Sequence, residues 1–288
     1  MTYAPRAVAA MLGVSPVTLR TWDQRYGLGP SGRTEGGHRR YEEADVEVLR
    51  RMVALTGQGV TPAAAAELAQ RGPADRRGTP RALLGADEAE SVRRGFITAA
   101  KRLDEPLMLD LAGKLLTAHG VVAAWEQVFA PCLVELGHMV TERGRGVEVE
   151  HLASSSLLHA LRGVPVASSP GVLAALLSCA PEEQHGLALE ALGAALSEED
   201  VLWRNLGARV PAQALYDAVV RLRPAVVLVW AHRPDLARQV PLAKLAERSS
   251  ALVAVAGPGW AEVALPSFVR APGTLSEAID LVLHRVRG

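Results

Sequence analysis

Aromatic residues are scarce in this chain. Five Trp, four Tyr and three Phe make up 4% of its 288 residues. A core built from it must rely on Ala, Val and Leu, which suits helices and buried parallel strands. Cysteine is nearly absent. Cys132 and Cys179 lie far apart in apolar surroundings and are expected as reduced core thiols, not as a disulfide or a metal pair. Net charge is missing too, with 31 Lys and Arg against 31 Asp and Glu. No charged segment followed by an apolar run opens the chain, so no signal peptide is expected. No apolar stretch reads as long and uninterrupted enough to cross a bilayer, and the expected place is the cytoplasm. Enzyme signatures are lacking as well. Ala256-Gly-Pro-Gly259 has no downstream spacing for a dinucleotide loop, and neither a nucleophile elbow nor a zinc motif occurs. Glu182 and Glu183 read as paired carboxylates at a helix start, favoured by its dipole. The chain is not expected to be an enzyme.

What the chain does have is a concentrated front end, Tyr3 to Tyr41. Val8, Met11 and Leu12 fall at helical spacing, and Gly13 can end that helix. Ser15 is a good N-cap with Pro16 at the first helical position, and the second helix runs to about Tyr26. Leu19 and Trp22 face inward. Thr18, Arg20, Thr21, Gln24 and Arg25 cover the remaining surface, a set suited to base edges and phosphates in a major groove. Gly27, Gly29, Pro30 and Gly32 forbid further helix, and Gly36-Gly37 reads as a hairpin tip. Arg33, His38, Arg39 and Arg40 flank that tip, placed for phosphates beside the groove. Up to Tyr41 the positives are Arg6, Arg20, Arg25, Arg33, Arg39 and Arg40 and the negatives Asp23 and Glu35, so positive charge gathers here in a neutral chain.

These residues resemble the DNA-binding domain of the MerR family of transcription regulators. The resemblance rests on Val14-Ser15, Thr18-Leu-Arg20, Trp22, Arg25-Tyr-Gly27, Arg33-Thr34 and Gly36-Gly-His-Arg-Arg-Tyr41. It implies a winged helix-turn-helix over residues 1–72 on a double-stranded DNA operator. Thr18, Arg20, Thr21, Gln24, Arg25, Tyr26, Arg33, His38, Arg39, Arg40 and Tyr41 are the expected DNA-contacting residues. A homodimer or tetramer is expected, with RNA polymerase as a further partner.

Residues 73–87 carry Gly, Pro and charge with little apolar periodicity and read as a flexible linker. Residues 88–163 read as a four-helix bundle, with helices near 91–103, 106–119, 121–143 and 149–161. Residues 164–288 change rhythm. Short apolar runs at 171–178, 224–230 and 251–256 alternate with helical stretches near 211–222, 236–248 and 276–286. That pattern indicates a doubly wound parallel sheet, in which ligands bind beyond the carboxyl ends of the strands. His185, Trp230 and Gly257 fall on or near those ends. The fold class is therefore multidomain, α and α/β: winged helix-turn-helix, four-helix bundle and flavodoxin-like sheet.

This domain order resembles the light-responsive, cobalamin-binding branch of the MerR family, the CarH and LitR type repressors. The resemblance implies adenosylcobalamin as cofactor, a loop His that replaces its lower base at cobalt, and light that cleaves the cobalt–carbon bond. Glu150-His151-Leu-Ala-Ser154 matches the family's bundle block, and Glu183-Gln-His185 matches its ligand loop. The resemblance makes Val140, Glu150, His151, Glu183, His185, Val229 and Gly257 the cofactor-contacting positions, with His185 on cobalt. Four positions depart from the pattern: Val140 stands for a Trp, Thr141 for a His, Ala188 for a Gly and Val229 for a Ser. Of a Gly-Gly pair only Gly257 is clear. Two readings of His185 remain, a neutral cobalt ligand held by Glu183, or a polar residue at a helix start in a degenerate copy of the fold. The second implies a regulator that binds no cobalamin and answers to another ligand or a partner protein. His119, His159, His232 and His284 are assigned no role, and Trp125, Trp203, Trp230 and Trp260 are expected in the core.

Overall fold

The computed structural model describes residues 2–33, 39–57, 61–70, 83–165, 173–247 and 250–287. They fall into two compact units, Met1–Pro80 and Arg81–Gly288.

The first unit runs β1 (Thr2–Tyr3), α1 (Pro5–Leu12), α2 (Pro16–Tyr26), β2 (Gly32–Arg33), β3 (Arg39–Glu42), α3 (Glu43–Gly57) and α4 (Pro62–Gln70). Gly13 takes the left-handed conformation (φ 65°) that ends α1 and turns the chain into α2. Ser15 then caps α2, its hydroxyl accepting from the Thr18 N–H at 3.0 Å. Leu19 and Trp22 on the inner side of α2 are buried with Val8, Tyr41, Val46, Leu49 and Met52. The strands form an antiparallel sheet in the order β1-β3-β2. The hairpin tip expected at Gly36-Gly37 lies outside the described residues, as does most of the expected linker. Ala86 and Asp87 at the end of that linker are already helical.

The second unit opens with helices α5 (Ala86–Lys101), α6 (Glu105–Ala124), α7 (Ala130–Arg143) and α8 (Val147–Arg162), with a π-helical turn at Trp125–Phe129 joining α6 to α7. Phe96, Met108, Phe129, Leu136 and Leu157 are fully buried in the bundle core. Within Glu105–Glu142 an 18-residue window with a mean hydropathy of 1.4 is long and apolar enough, by length and composition alone, to cross a membrane, so the expectation that no stretch reaches that length is corrected. Its apolar side chains serve the bundle core, where 44% of that window is buried.

The sheet follows: β4 (Ala175–Cys179), α9 (Leu187–Glu198), β5 (Trp203–Asn205), α10 (Ala212–Leu222), β6 (Val226–Trp230), α11 (Pro234–Ala237), α12 (Leu242–Glu247), β7 (Leu252–Ala256) and α13 (Leu275–Arg287). The strands are parallel in the order β5-β4-β6-β7, and a single bridge from Ala254 to Arg270 continues the sheet past β7. This is the flavodoxin-like order, whose reversal point lies between β4 and β6. One helix was expected near 236–248. Two short ones form, because Pro241 between them has no N–H to continue a helix.

Strand alternation sorts the side chains. Leu177, Cys179, Leu228 and Ala254 pack with the α9, α13 and bundle residues, while Leu176, Val227, Val229 and Val255 pack with Leu215, Val219, Leu236 and Leu245. Two polar links tie sheet to bundle. α6 breaks at Gly120 (φ 82°), and the Val121 N–H beyond the break donates to the Glu198 carboxylate at 3.1 Å. Glu126 Oε1 accepts from the Ser276 N–H at 2.9 Å, at the start of α13.

Gly193 in α9 lets the Trp203 indole lie on the helix. A Cβ there would sit 2.4 Å from the ring, whose Nε1 donates to Ser197 Oγ at 2.8 Å. Ala in place of Gly stabilises an unobstructed helix by about 1 kcal/mol. Here Gly193→Ala is expected to destabilise by about 1–3 kcal/mol through overpacking, measured by chemical denaturation.

Candidate functional site

The first candidate surface is the outer side of α2 with the wing. Arg20, Gln24 and Arg25 are exposed, and Thr18, Thr21 and Tyr26 are half-buried. The Thr21 hydroxyl donates to Val17 O at 3.0 Å, within its own helix. Arg33 and Arg39 are register partners in the wing, beside the Gly32–Arg40 pair. Their side chains, and all of His38, lie outside the described residues. Tyr41 is corrected: it is 2% exposed and belongs to the core beneath the wing, because it alternates inward on β3 between Arg40 and Glu42. Sequence reasoning missed the support. Asp45 Oδ2 accepts from the Ser31 N–H (2.9 Å), the Ser31 hydroxyl (2.8 Å) and the Glu42 N–H (2.8 Å), pinning both ends of the wing to α3. In sequence Asp45 shows no more than an acidic residue at a helix start, favoured by the dipole.

The second candidate site lies at the carboxyl ends of β4 and β6. After Cys179 the chain turns through Ala180-Pro181-Glu182-Glu183. Pro181 sets the turn, Glu182 adopts φ 60°, and the Glu183 N–H closes on Ala180 O at 3.1 Å. The turn drives Glu183 inward, where it is 1% exposed. Its Oε1 accepts from the backbone N–H groups of Gln184 and His185, each at 2.9 Å, and lies 2.7 Å from His185 Nδ1. Its Oε2 accepts from the His232 N–H at 2.7 Å, just past β6. Burial alone would raise this carboxyl. The backbone N–H groups of His185 and His232 and the His185 ring outweigh it, and the pKa falls below its ordinary 4.5. With Nδ1–H donated to a carboxylate, the neutral His185 ring leaves Nε2 as a lone-pair donor. The side chain is 65% exposed, so that nitrogen can reach a ligand. The His232 ring stands beside it, centroids 4.9 Å apart. Sequence reasoning gave His232 no role. The only available signal was its place two residues past β6, at the strand-order reversal.

The structure brings together Glu183 and His185, and sets Gly257 against Ala231 and Trp230 at the neighbouring strand ends. Val229 is corrected. It is fully buried on the opposite face of the sheet, among Leu176, Val227 and Val255. Trp230, one residue on, takes the His185 side instead and packs against Gly257. Glu150 and His151 lie on α8, with partners on their own helix: Ser154 Oγ donates to Glu150 at 2.8 Å and His151 Nδ1 lies 3.0 Å from it. Val140 is half-buried on α7, and the Thr141 hydroxyl beside it donates to Gly137 O. Cys132 and Cys179 are free and buried, and burial pushes both thiols up to about 12.

A compact helix-turn-helix and wing, followed by a bundle and a parallel sheet with a ligand-ready His at its reversal point, is the build of a transcription regulator that carries its own sensor. Residues 3–72 match the family model described as MerR HTH family regulatory protein. The chain is 35% identical over 240 residues to the HTH-type transcriptional repressor CarH of Myxococcus xanthus, covering 78% of this chain and 77% of that one. It is 33% identical over 231 residues to CarA of the same organism, covering 79% and 75%. The chain belongs to the CarH and CarA family of MerR-type transcriptional regulators. Among solved structures, the Methanosarcina barkeri monomethylamine corrinoid protein is similar at 13% identity and a TM-score of 0.48, over 68% of this chain and 98% of that one.

The depressed Glu183 pKa has a definite sign. Its stabilising contribution is complete above the ordinary value of 4.5 and is lost as pH falls through the folded value. Glu183→Gln is expected to cost about 1–3 kcal/mol near neutrality, since an amide cannot accept all four bonds. The difference between the two proteins should close on acidification, read from denaturation midpoints across that range. A constant difference down to the acid limit would contradict the assignment.

Proposed function

We propose that this protein regulates transcription by binding an operator through α2 and the wing, and that a corrinoid held at His185 controls that binding. The observation carrying the second part is the Glu183–His185 pair. A buried carboxylate on Nδ1 fixes the tautomer and the orientation of the ring, the arrangement that metal-ligating histidines use. The cobalt end of a corrinoid therefore fits this site. When bound, adenosylcobalamin supplies a cobalt–carbon bond that light cleaves, making light the signal. On this reading Glu183 orients His185, and the His232 ring walls one side of it. Glu150, His151 and Val140 offer the bundle's contribution to the face above.

On the DNA side, Arg20, Gln24 and Arg25 supply the exposed groups of the reading helix, and Thr18, Thr21 and Tyr26 line its edge. Arg33, His38, Arg39 and Arg40 are the wing's phosphate contacts. The protein acts as a homodimer or tetramer on a (pseudo)palindromic site, with RNA polymerase as the downstream partner.

A second reading rests on Val140 and Thr141. They give the bundle neither an aromatic lid nor a nitrogen donor at the positions matched to the family. On it, the sheet domain takes no corrinoid and answers to another ligand or a partner protein.

Two measurements separate these readings. Protein mixed with adenosylcobalamin in the dark, then gel-filtered, is expected to elute coloured, and His185→Ala to elute colourless. A wild-type protein that elutes colourless after mixing with adenosylcobalamin and with adenosylcobinamide alike supports the second reading. Footprinting on its own promoter should show a two-fold pattern. Arg20→Ala or Arg25→Ala should lower affinity, with the salt slope falling by about one where a phosphate contact is lost. Equal affinity for promoter and random duplex in moderate salt would end the regulator reading.

A further inference from the structure

Trp230 ends β6, at the strand ends beyond which a ligand of this fold sits. It lies on the face shared with Cys179 and the bundle-side core, paired in register with Cys179 on β4 and Ala256 on β7. Its indole therefore stands at the strand-order reversal, two residues before His232. The ring lies against Gly257 so closely that a Cβ there would sit 3.0 and 3.1 Å from its atoms, and 2.4 Å from Ala231 O. Gly257 also holds φ 105°, which only glycine adopts without strain. The Trp230 Nε1–H is buried and finds no hydrogen-bond partner among the described residues. A polar group held buried without a partner is costly, yet this chain places an indole there.

The chemistry of the ligand makes this decisive. In a complete cobalamin the lower base is tethered to the corrin rim by a nucleotide loop. When a His takes the cobalt, that base is displaced but remains attached, and it hangs on the protein side of the ring. Past the end of β6 the Trp230 indole lies against Gly257, on the strand ends over which such an arm would have to lie. A corrinoid without the loop presents the same cobalt to His185 Nε2 and brings no arm to house.

Resting on the corrinoid reading above, we infer that this site selects corrinoids lacking the nucleotide loop, the cobinamide class, and that Trp230 is the residue that selects. The test uses the full chain titrated in the dark with diaquacobinamide or hydroxocobalamin, which differ by the loop. It is read by absorbance and by retention on gel filtration. Cobinamide is expected to bind more tightly by about ten-fold or more, the scale of one unrelieved steric overlap. Trp230→Ser is expected to close that gap by strengthening cobalamin while leaving cobinamide binding in place, which also shows that the variant is folded. Equal wild-type affinity for the two corrinoids overturns the inference and leaves the corrinoid reading standing, and this comparison needs no variant. An unchanged gap in Trp230→Ser overturns it equally. Retention of neither corrinoid sinks the corrinoid reading itself.

Discussion

The Glu183 carboxylate is the constraint on which the sensor half depends. It accepts from the backbone of two loops, the one after β4 and the one after β6, and from the His185 ring. These loops meet at the reversal of strand order, just past the ladder bond from the Ala180 N–H to Trp230 O at 2.8 Å. Removing an ion from water to 1% exposure is expensive unless every oxygen finds donors, and here both do. The same bonds that satisfy the charge fix the tautomer of His185. Loop order and ligand chemistry are therefore one feature, so damage to either appears in both.

The DNA-binding unit solves a similar problem with another carboxylate. Asp45 gathers three donors from the two sides of the wing, and Ser15 caps the reading helix. Both devices place short, irregular segments by satisfying backbone N–H groups.

Much of this could be read in the chain before any coordinates. Periodic apolar spacing located the bundle helices closely, and Ser15-Pro16 with Gly27 bracketed α2. His185 and Glu183 were found because a motif keeps them two residues apart. What failed, failed for physical reasons. Val226 to Trp230 is uniformly apolar, so it carries no alternation to say which side chains face the ligand. Counting placed Val229 there, whereas the register turns it away and presents Trp230. Tyr41 stood in a run of arginines and looked exposed, but strand alternation buries it. His232 and Asp45 act through partners distant in sequence, brought near only by folding. Pro241 splits a helix whose apolar spacing reads as continuous.

The central claim is that a nitrogen of His185 would hold the cobalt of a bound corrinoid. The direct measurement is electron paramagnetic resonance of the Co(II) form of the corrinoid the protein retains, prepared with 15N-labelled histidine. A two-line nitrogen splitting is expected, absent from His185→Ala. A three-line splitting from an unlabelled nitrogen, or no nitrogen splitting at all, would contradict it.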